Sequence, residues 1–210
     1  MILYKYEIKE NKYLFAPNFS FQMAEDILPA NLKNFKLFFT EKEKQLMKEH
    51  LNGDDGATGL GKDSITSRFS KYNLLNFSEM FFLKELIKQK YIQLIDTLGI
   101  NLDGPFYIQC WFNIIRKGEQ IKKHRHTDMK NSNNFISGNI CVNIENSCTF
   151  YNPPFLNDVI KVKNKDNQIV FFPSWLDHYT DEVKSDYERI TIGFDITPID
   201  SSKEGVWIKL

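Results

Sequence analysis

Histidine and arginine are scarce in this 210-residue chain, and their spacing is where chemistry is first looked for. The segment from Gly118 to Asp128 reads GEQIKKHRHTD, with His124 and His126 separated by one residue. On an extended backbone such a pair points to one side, so both imidazoles can reach one ion. Neutral imidazole is the commonest biological metal ligand. Asp128 shares that face if the strand continues, and His126-Thr127-Asp128 is itself an HxD. A third histidine, His178, closes the segment FFPSWLDH (171–178), far enough along the chain for several strands and a return beside the pair.

Arg189 stands eleven residues after His178. In a strand, Arg189 and Thr191 point one way, and Ile190, Ile192 and Phe194 point the other. An arginine on the inner face of a sandwich is costly to bury unless an anion meets it. A guanidinium suits bidentate capture of a carboxylate, and a neighbouring hydroxyl adds a hydrogen bond. Together these residues describe an open metal site beside a carboxylate binder, with coordination positions left for a chelating co-substrate and dioxygen. Taken singly, each residue has a plainer reading. The histidine pair fits a basic loop, His178 a capped loop, Arg189 a surface ion pair with Glu188 or Asp186, and Thr191 a good strand former.

The elements that must position these residues change character near residue 104. Before it, ILYKYEI (2–8) alternates as a half-buried strand and YLFAP (13–17) offers another. Thr40-Glu41-Lys42-Glu43 is a capping box that predicts a helix to about Leu51. GDDGATGLGKDS (53–64) reads as a connector or an active-site lid. Apolar residues from Phe82 to Leu98 recur at helical spacing from about Ser78, with Gly99 as the stop. After residue 104 the period becomes two. In 105–115, Phe106, Ile108, Cys110, Phe112 and Ile114 form one face. Trp111 and Asn113 lie on the other, as candidates to line a cofactor site or as a core Trp with its bonded Asn. Further strands are expected at 135–144, 148–151, 159–163, 168–173 and 189–197. The expected fold is mainly β with flanking helices: a jelly-roll core with amphipathic helices packed on one sheet. The organisation expected is a single domain: an N-terminal scaffold (1–103), a core (104–198) and a tail (199–210).

Composition sets outer bounds. Lys+Arg and Asp+Glu are both 27, so zero net charge argues against an electrostatic nucleic-acid binder. The chain is 42% hydrophobic and 14% aromatic, which excludes overall disorder. It has no apolar run long enough for a membrane helix. Cys110, Cys141 and Cys148, with no CxxC, suggest reduced thiols in a cytoplasmic protein.

From Trp111 to Phe194 the chain resembles the 2-oxoglutarate/Fe(II)-dependent oxygenases, a family of the double-stranded β-helix superfamily. The matching pieces are WFN (111–113), RKG (116–118), HRH (124–126), SGNICV (137–142), FYNPP (150–154), FFPSWLDH (171–178) and ERITIGF (188–194). The resemblance implies Fe(II), 2-oxoglutarate and O2 as reactants, with hydroxylation of a substrate and release of succinate and CO2. It implies that His178 ligates iron and that Arg189, with Thr191, binds the far carboxylate of 2-oxoglutarate. Two ligand sets stay open. Counting from Gly118 gives His124, His126 and His178, an all-imidazole site. A literal HxD gives His126, Asp128 and His178. A cupin-type metalloenzyme is the alternative enzyme, although no Glu follows His126 at the cupin spacing and cupins do not require the Arg189/Thr191 pair. A non-catalytic β-sandwich is the alternative outside enzymes. The expected substrate is a small molecule or a protein side chain, and the terminal segments 2–8 and 206–210 could pair with a second copy in a homodimer.

Overall fold

The structure, a computed structural model, describes residues 1–8, 19–49, 60–70, 73–101, 104–127, 136–154, 158–200 and 206–210. Alternation in the first segment forms β1 (Ile2–Ile8), which pairs antiparallel along its whole length with β2 (Phe19–Ile27). The sequence reading missed β2, because Ala24, Glu25 and Asp26 dilute its aromatic and β-branched content. The strand is fixed instead by its two neighbours. YLFAP lies outside the described residues.

A 3-10 turn (Leu32–Phe35) leads into α1 (Lys36–Glu49). The capping box does not start this helix. Thr40 sits one turn inside, and its hydroxyl donates to the Lys36 carbonyl at 3.0 Å. The chain has already turned helical at Leu32, so Thr40 meets a filled backbone rather than open N–H groups. Of the Gly/Asp segment only 60–64 is described. There Leu60 packs on Ile115 and Val183, and the Asp63 N–H and Ser64 hydroxyl both bond Glu119. After the short strand β3 (Ile65–Thr66), α2 (Phe81–Thr97) follows two 3-10 turns (Leu74–Asn76 and Ser78–Met80) and stops at Gly99, whose φ of 64° is left-handed.

The remaining strands are β4 (Tyr107–Ile115), β5 (Ile136–Asn143), β6 (Cys148–Asn152), β7 (Ile160–Lys163), β8 (Gln168–Phe172), β9 (Asp177–Thr180), β10 (Arg189–Thr197) and β11 (Ile208–Lys209). They build two antiparallel sheets. The large one runs β1-β2-β8-β5-β10-β4-β11, with β3 also on β4; the small one runs β7-β6-β9. The C-terminal strand pairs within the chain, Ile208 opposite Ile108.

The period of two sorts the large sheet into two faces. Ile108, Phe112, Ile169, Phe171, Ile192 and Phe194 join Leu83, Ile87, Tyr91 and Leu94 of α2 in the main core. Val170 and Phe172, one residue out of step, join Phe21, Met23 and Tyr151 between the sheets. The fold is therefore a double-stranded β-helix with its helices on one side of the large sheet, as expected. The space between the sheets holds the candidate site.

Candidate metal centre

Two backbone devices place the three histidines. His178 lies in β9, a strand the sequence reading left as the end of a loop, opposite Tyr151 of β6. His124 belongs to no strand, but exchanges both backbone hydrogen bonds with His178, at 3.0 and 2.9 Å. His126 donates its N–H to the Ser174 carbonyl at 3.0 Å, in the turn closed by Leu176 N–H on Pro173 O at 2.9 Å. The FPSWLDH segment thus carries one imidazole and anchors the other two.

The rings meet. Centroids lie 4.3 Å apart for His124 and His178, 5.0 Å for His126 and His178, and 5.4 Å for His124 and His126. One ligand atom from each lies within 4.8 Å of the others, a group able to hold a metal ion. Each Nδ1 is engaged outward. His124 donates to Lys122 O at 2.8 Å, His178 to Leu176 O at 2.9 Å, and His126 to Asp195 Oδ1 at 2.6 Å. With Nδ1–H committed, Nε2 carries the lone pair on each ring. Burial lowers the pKa of all three. It takes His124 to about 4, aided by His126, and His178 well below its usual value, aided by both neighbours. The imidazoles are neutral at pH 7, the form that binds metal. Asp128 lies outside the described residues.

Around the triad stand residues the sequence reading did not single out. Asp195 is fully buried on β10 and accepts from His126, from the Ser137 hydroxyl at 2.6 Å and from Arg68 Nη2 at 3.2 Å. Burial pushes its pKa up, and His126, Arg68 and Ser137 more than offset that, so it stays ionised. Arg68 follows β3, and its guanidinium carbon lies 4.6 Å from the Trp111 ring centroid. Trp111 can lie flat there because its cross-strand neighbour is Gly193, where a Cβ would stand 2.6 Å from the indole.

Arg189 and Thr191 line the same cavity as the imidazoles, as do Trp111 and Asn113. Arg189 is 2% exposed, so it is no surface residue. Its partner is neither Glu188 nor Asp186. Nη1 reaches Asp181 at 3.2 Å and Nη2 the Cys148 carbonyl at 3.3 Å, while Nε is buried with no hydrogen-bond partner among the described residues. Glu188 pairs instead with Arg116 and Lys36, and Asp186 with Lys117. Asn113 donates to Thr191 Oγ1 at 3.2 Å, which leaves the threonine O–H free to donate. A second buried donor, the Tyr151 hydroxyl, also lacks a partner among the described residues, and its ring lies 6.0 Å from that of His178.

Comparison with known proteins follows the same lines. Residues 147–195, which include His178, Arg189 and Thr191, match the family model described as "Putative 2OG-Fe(II) oxygenase". No curated protein matches the chain. A Pseudomonas putida prolyl-4-hydroxylase shares 12% identity at a TM-score of 0.57, over 84% of this chain and 92% of its own. The viral collagen prolyl hydroxylase of Paramecium Bursaria Chlorella virus-1, solved with 2OG, shares 12% at 0.55, over 84% and 96%. An oxidoreductase of the 2OG-Fe(II) oxygenase family from Burkholderia pseudomallei shares 14% at 0.42, and the chain spans about half its length, 48%. At such identities the likeness is one of fold. The chain thus matches the oxygenase family model over residues 147–195 and shares its fold with the solved prolyl hydroxylases.

Proposed function

We propose that this protein is an Fe(II)- and 2-oxoglutarate-dependent oxygenase that hydroxylates a small molecule or a protein side chain. The observation that carries the reading is the placement of three neutral, outward-bonded imidazoles on one cavity with an arginine whose buried Nε has no partner among the described residues. The donor set suits the group it would hold. Three Nε2 atoms suit a divalent ion with open coordination positions. An orphaned guanidinium N–H suits an anion, since a buried donor left unmade costs about 1–3 kcal/mol.

His124, His126 and His178 would hold the iron. Arg189, through Nε, and Thr191, through its hydroxyl, would hold the far carboxylate of 2-oxoglutarate. Asn113 acts on that carboxylate only through Thr191, which it orients. Trp111 forms the wall between Arg68 and His126, 5.5 Å from the latter ring. Bound together, the iron and 2-oxoglutarate supply the oxidising chemistry, with 2-oxoglutarate leaving as succinate and CO2 as O2 is consumed. The protein contributes position and an apolar cavity wall, with Leu60, Ile121 and Phe172 limiting water. No helix among the described residues is long and apolar enough to cross a membrane. The three free cysteines fit a reducing, cytoplasmic setting.

The test is an anaerobic titration of metal-free protein with Fe(II) and then 2-oxoglutarate, read by the visible metal-to-ligand charge-transfer band. The band is expected in the wild type and in Asp128→Ala, and at much higher 2-oxoglutarate in Arg189→Ala. Loss of the band in Asp128→Ala moves the ligand set to His126, Asp128 and His178. Metal binding with no band favours the cupin-type reading, and no metal binding overturns the proposal.

A further inference from the structure

The three imidazoles pass their Nδ1–H to unlike acceptors. His124 and His178 meet neutral backbone carbonyls, whereas His126 meets a carboxylate at 2.6 Å. Asp195 is 0% exposed, and its two oxygens divide their work. Oδ1 takes His126 and the Ser137 hydroxyl; Oδ2 takes Arg68 Nη2 at 3.2 Å. A site of three neutral imidazoles leaves a bound divalent ion with its full charge. A ligand set with one carboxylate would cancel part of it.

We infer that Asp195 supplies through His126 the negative charge that the ligand set itself lacks, and that Arg68 opposes it by drawing on the same carboxylate. This rests on the metal reading proposed above. Asp195 is then a positioning and charge-tuning residue that touches no reactant. A carboxylate accepting the outer N–H of a metal-bound imidazole fixes its tautomer and raises its basicity, and removing it weakens metal binding about 10–100-fold. Stability is a poor account of the pair, because a buried ion pair rarely gains more than its desolvation costs. The arrangement is also graded. Asp195 faces one neutral donor ring, one hydroxyl and one full cation, so each partner sets how much charge reaches His126.

The inference gives two neighbouring substitutions opposite signs. Asp195→Asn keeps the shape and an acceptor oxygen but removes the charge. Arg68→Gln removes the competing cation and leaves the carboxylate to His126. The experiment is calorimetric titration of metal-free protein with Co(II) alone, with the visible Co(II) spectrum recorded for each variant. Expected are binding about 10–100-fold weaker in Asp195→Asn and several-fold tighter in Arg68→Gln, with shifted Co(II) bands in both. Equal weakening in the two variants would make the pair a structural clamp and overturn the inference. So would wild-type affinity in Asp195→Asn. If Asp195→Asn does not fold, the sign in Arg68→Gln still decides. Failure of the wild type to bind Co(II) would instead remove the metal reading on which the inference stands.

Discussion

The two faces of β10 are equally buried and do opposite work. Every residue from Arg189 to Thr197 is buried. Ile190, Ile192, Phe194 and Ile196 enter the core under the helices. Arg189, Thr191 and Gly193, one step out of phase, line the cavity, and Asp195 on the same face bonds His126. On the first face, removal of apolar area from water stabilises the fold by roughly 25 cal/mol per Å². On the second, burial costs free energy that hydrogen bonds only offset. Burial alone therefore does not separate core from site; the chemistry of the partners does. The helix side holds the protein together so that the inner side can keep charges and unmet donors out of water.

The largest effects should come from exchanging the roles of these faces. Phe194 packs edge-on to Phe171, with centroids 5.4 Å apart, over a glycine at 138 whose missing Cβ makes room for the ring. Phe194→Ala should lower the unfolding free energy by about 3–5 kcal/mol, or roughly 10 °C in Tm, while the folded fraction still binds metal. His178→Ala should do the reverse. Thermal scans with and without Fe(II) under anaerobic conditions check both. The wild type and Phe194→Ala should gain stability from the metal, about 2.7 kcal/mol at a hundredfold excess over Kd. His178→Ala should gain none. A metal-induced shift surviving in His178→Ala would break the division between the faces.

Arg189→Met sharpens the comparison within the inner face. Metal and anion are assigned there to different residues, so the two functions should come apart. Loss of a charge-assisted hydrogen bond is worth about 1.5–3 kcal/mol, which corresponds to a 2-oxoglutarate KM about 10–150-fold higher. Co(II) affinity should be unchanged. Asp181, which loses its guanidinium partner, is 30% exposed and can be rehydrated, so the fold should tolerate the change. A parallel loss of metal affinity would show that the two subsites are one.

How much of this could be read from the sequence follows the same division. Alternation in 105–115 and 189–197 was strong enough to give β4 and β10 and to put Arg189 and Thr191 on one face. Carried two steps further, it would have reached Asp195, an acid between Phe194 and Ile196 in a strand whose other face is apolar. Arg68 left no such trace. It is placed by its neighbour Ser67, which exchanges hydrogen bonds with the Phe112 backbone at 2.9 Å, a tertiary contact without a local pattern. Strands β2 and β9 were invisible for a related reason: their pairing partners define them more than their own residues do. The capping box at Thr40 was a sound local signal overridden by a chain already helical four residues earlier. Spacing relative to Gly118 pointed to His124 and a literal HxD to Asp128; His124 stands in the histidine cluster, and Asp128 lies outside the described residues.

The smallest expected effect is also the most diagnostic, because stability and affinity should move in opposite directions. Tyr151 is fully buried between the sheets, and burial keeps its hydroxyl protonated. That hydroxyl has no hydrogen-bond partner among the described residues. In the ligand-free protein an unmet buried hydroxyl is a cost of about 1–3 kcal/mol. Tyr151→Phe should therefore leave the ligand-free protein as stable as the wild type or more so. If the hydroxyl is a second donor to the anion held by Arg189, the same substitution should raise the KM for 2-oxoglutarate by up to about tenfold, the worth of one neutral hydrogen bond. Calorimetric unfolding and 2-oxoglutarate titration on one preparation read both signs. A gain in stability with unchanged KM would return Tyr151 to the core between the sheets. A raised KM with a stabilised ligand-free protein would place it on the inner face, with its unmet bond held for the ligand.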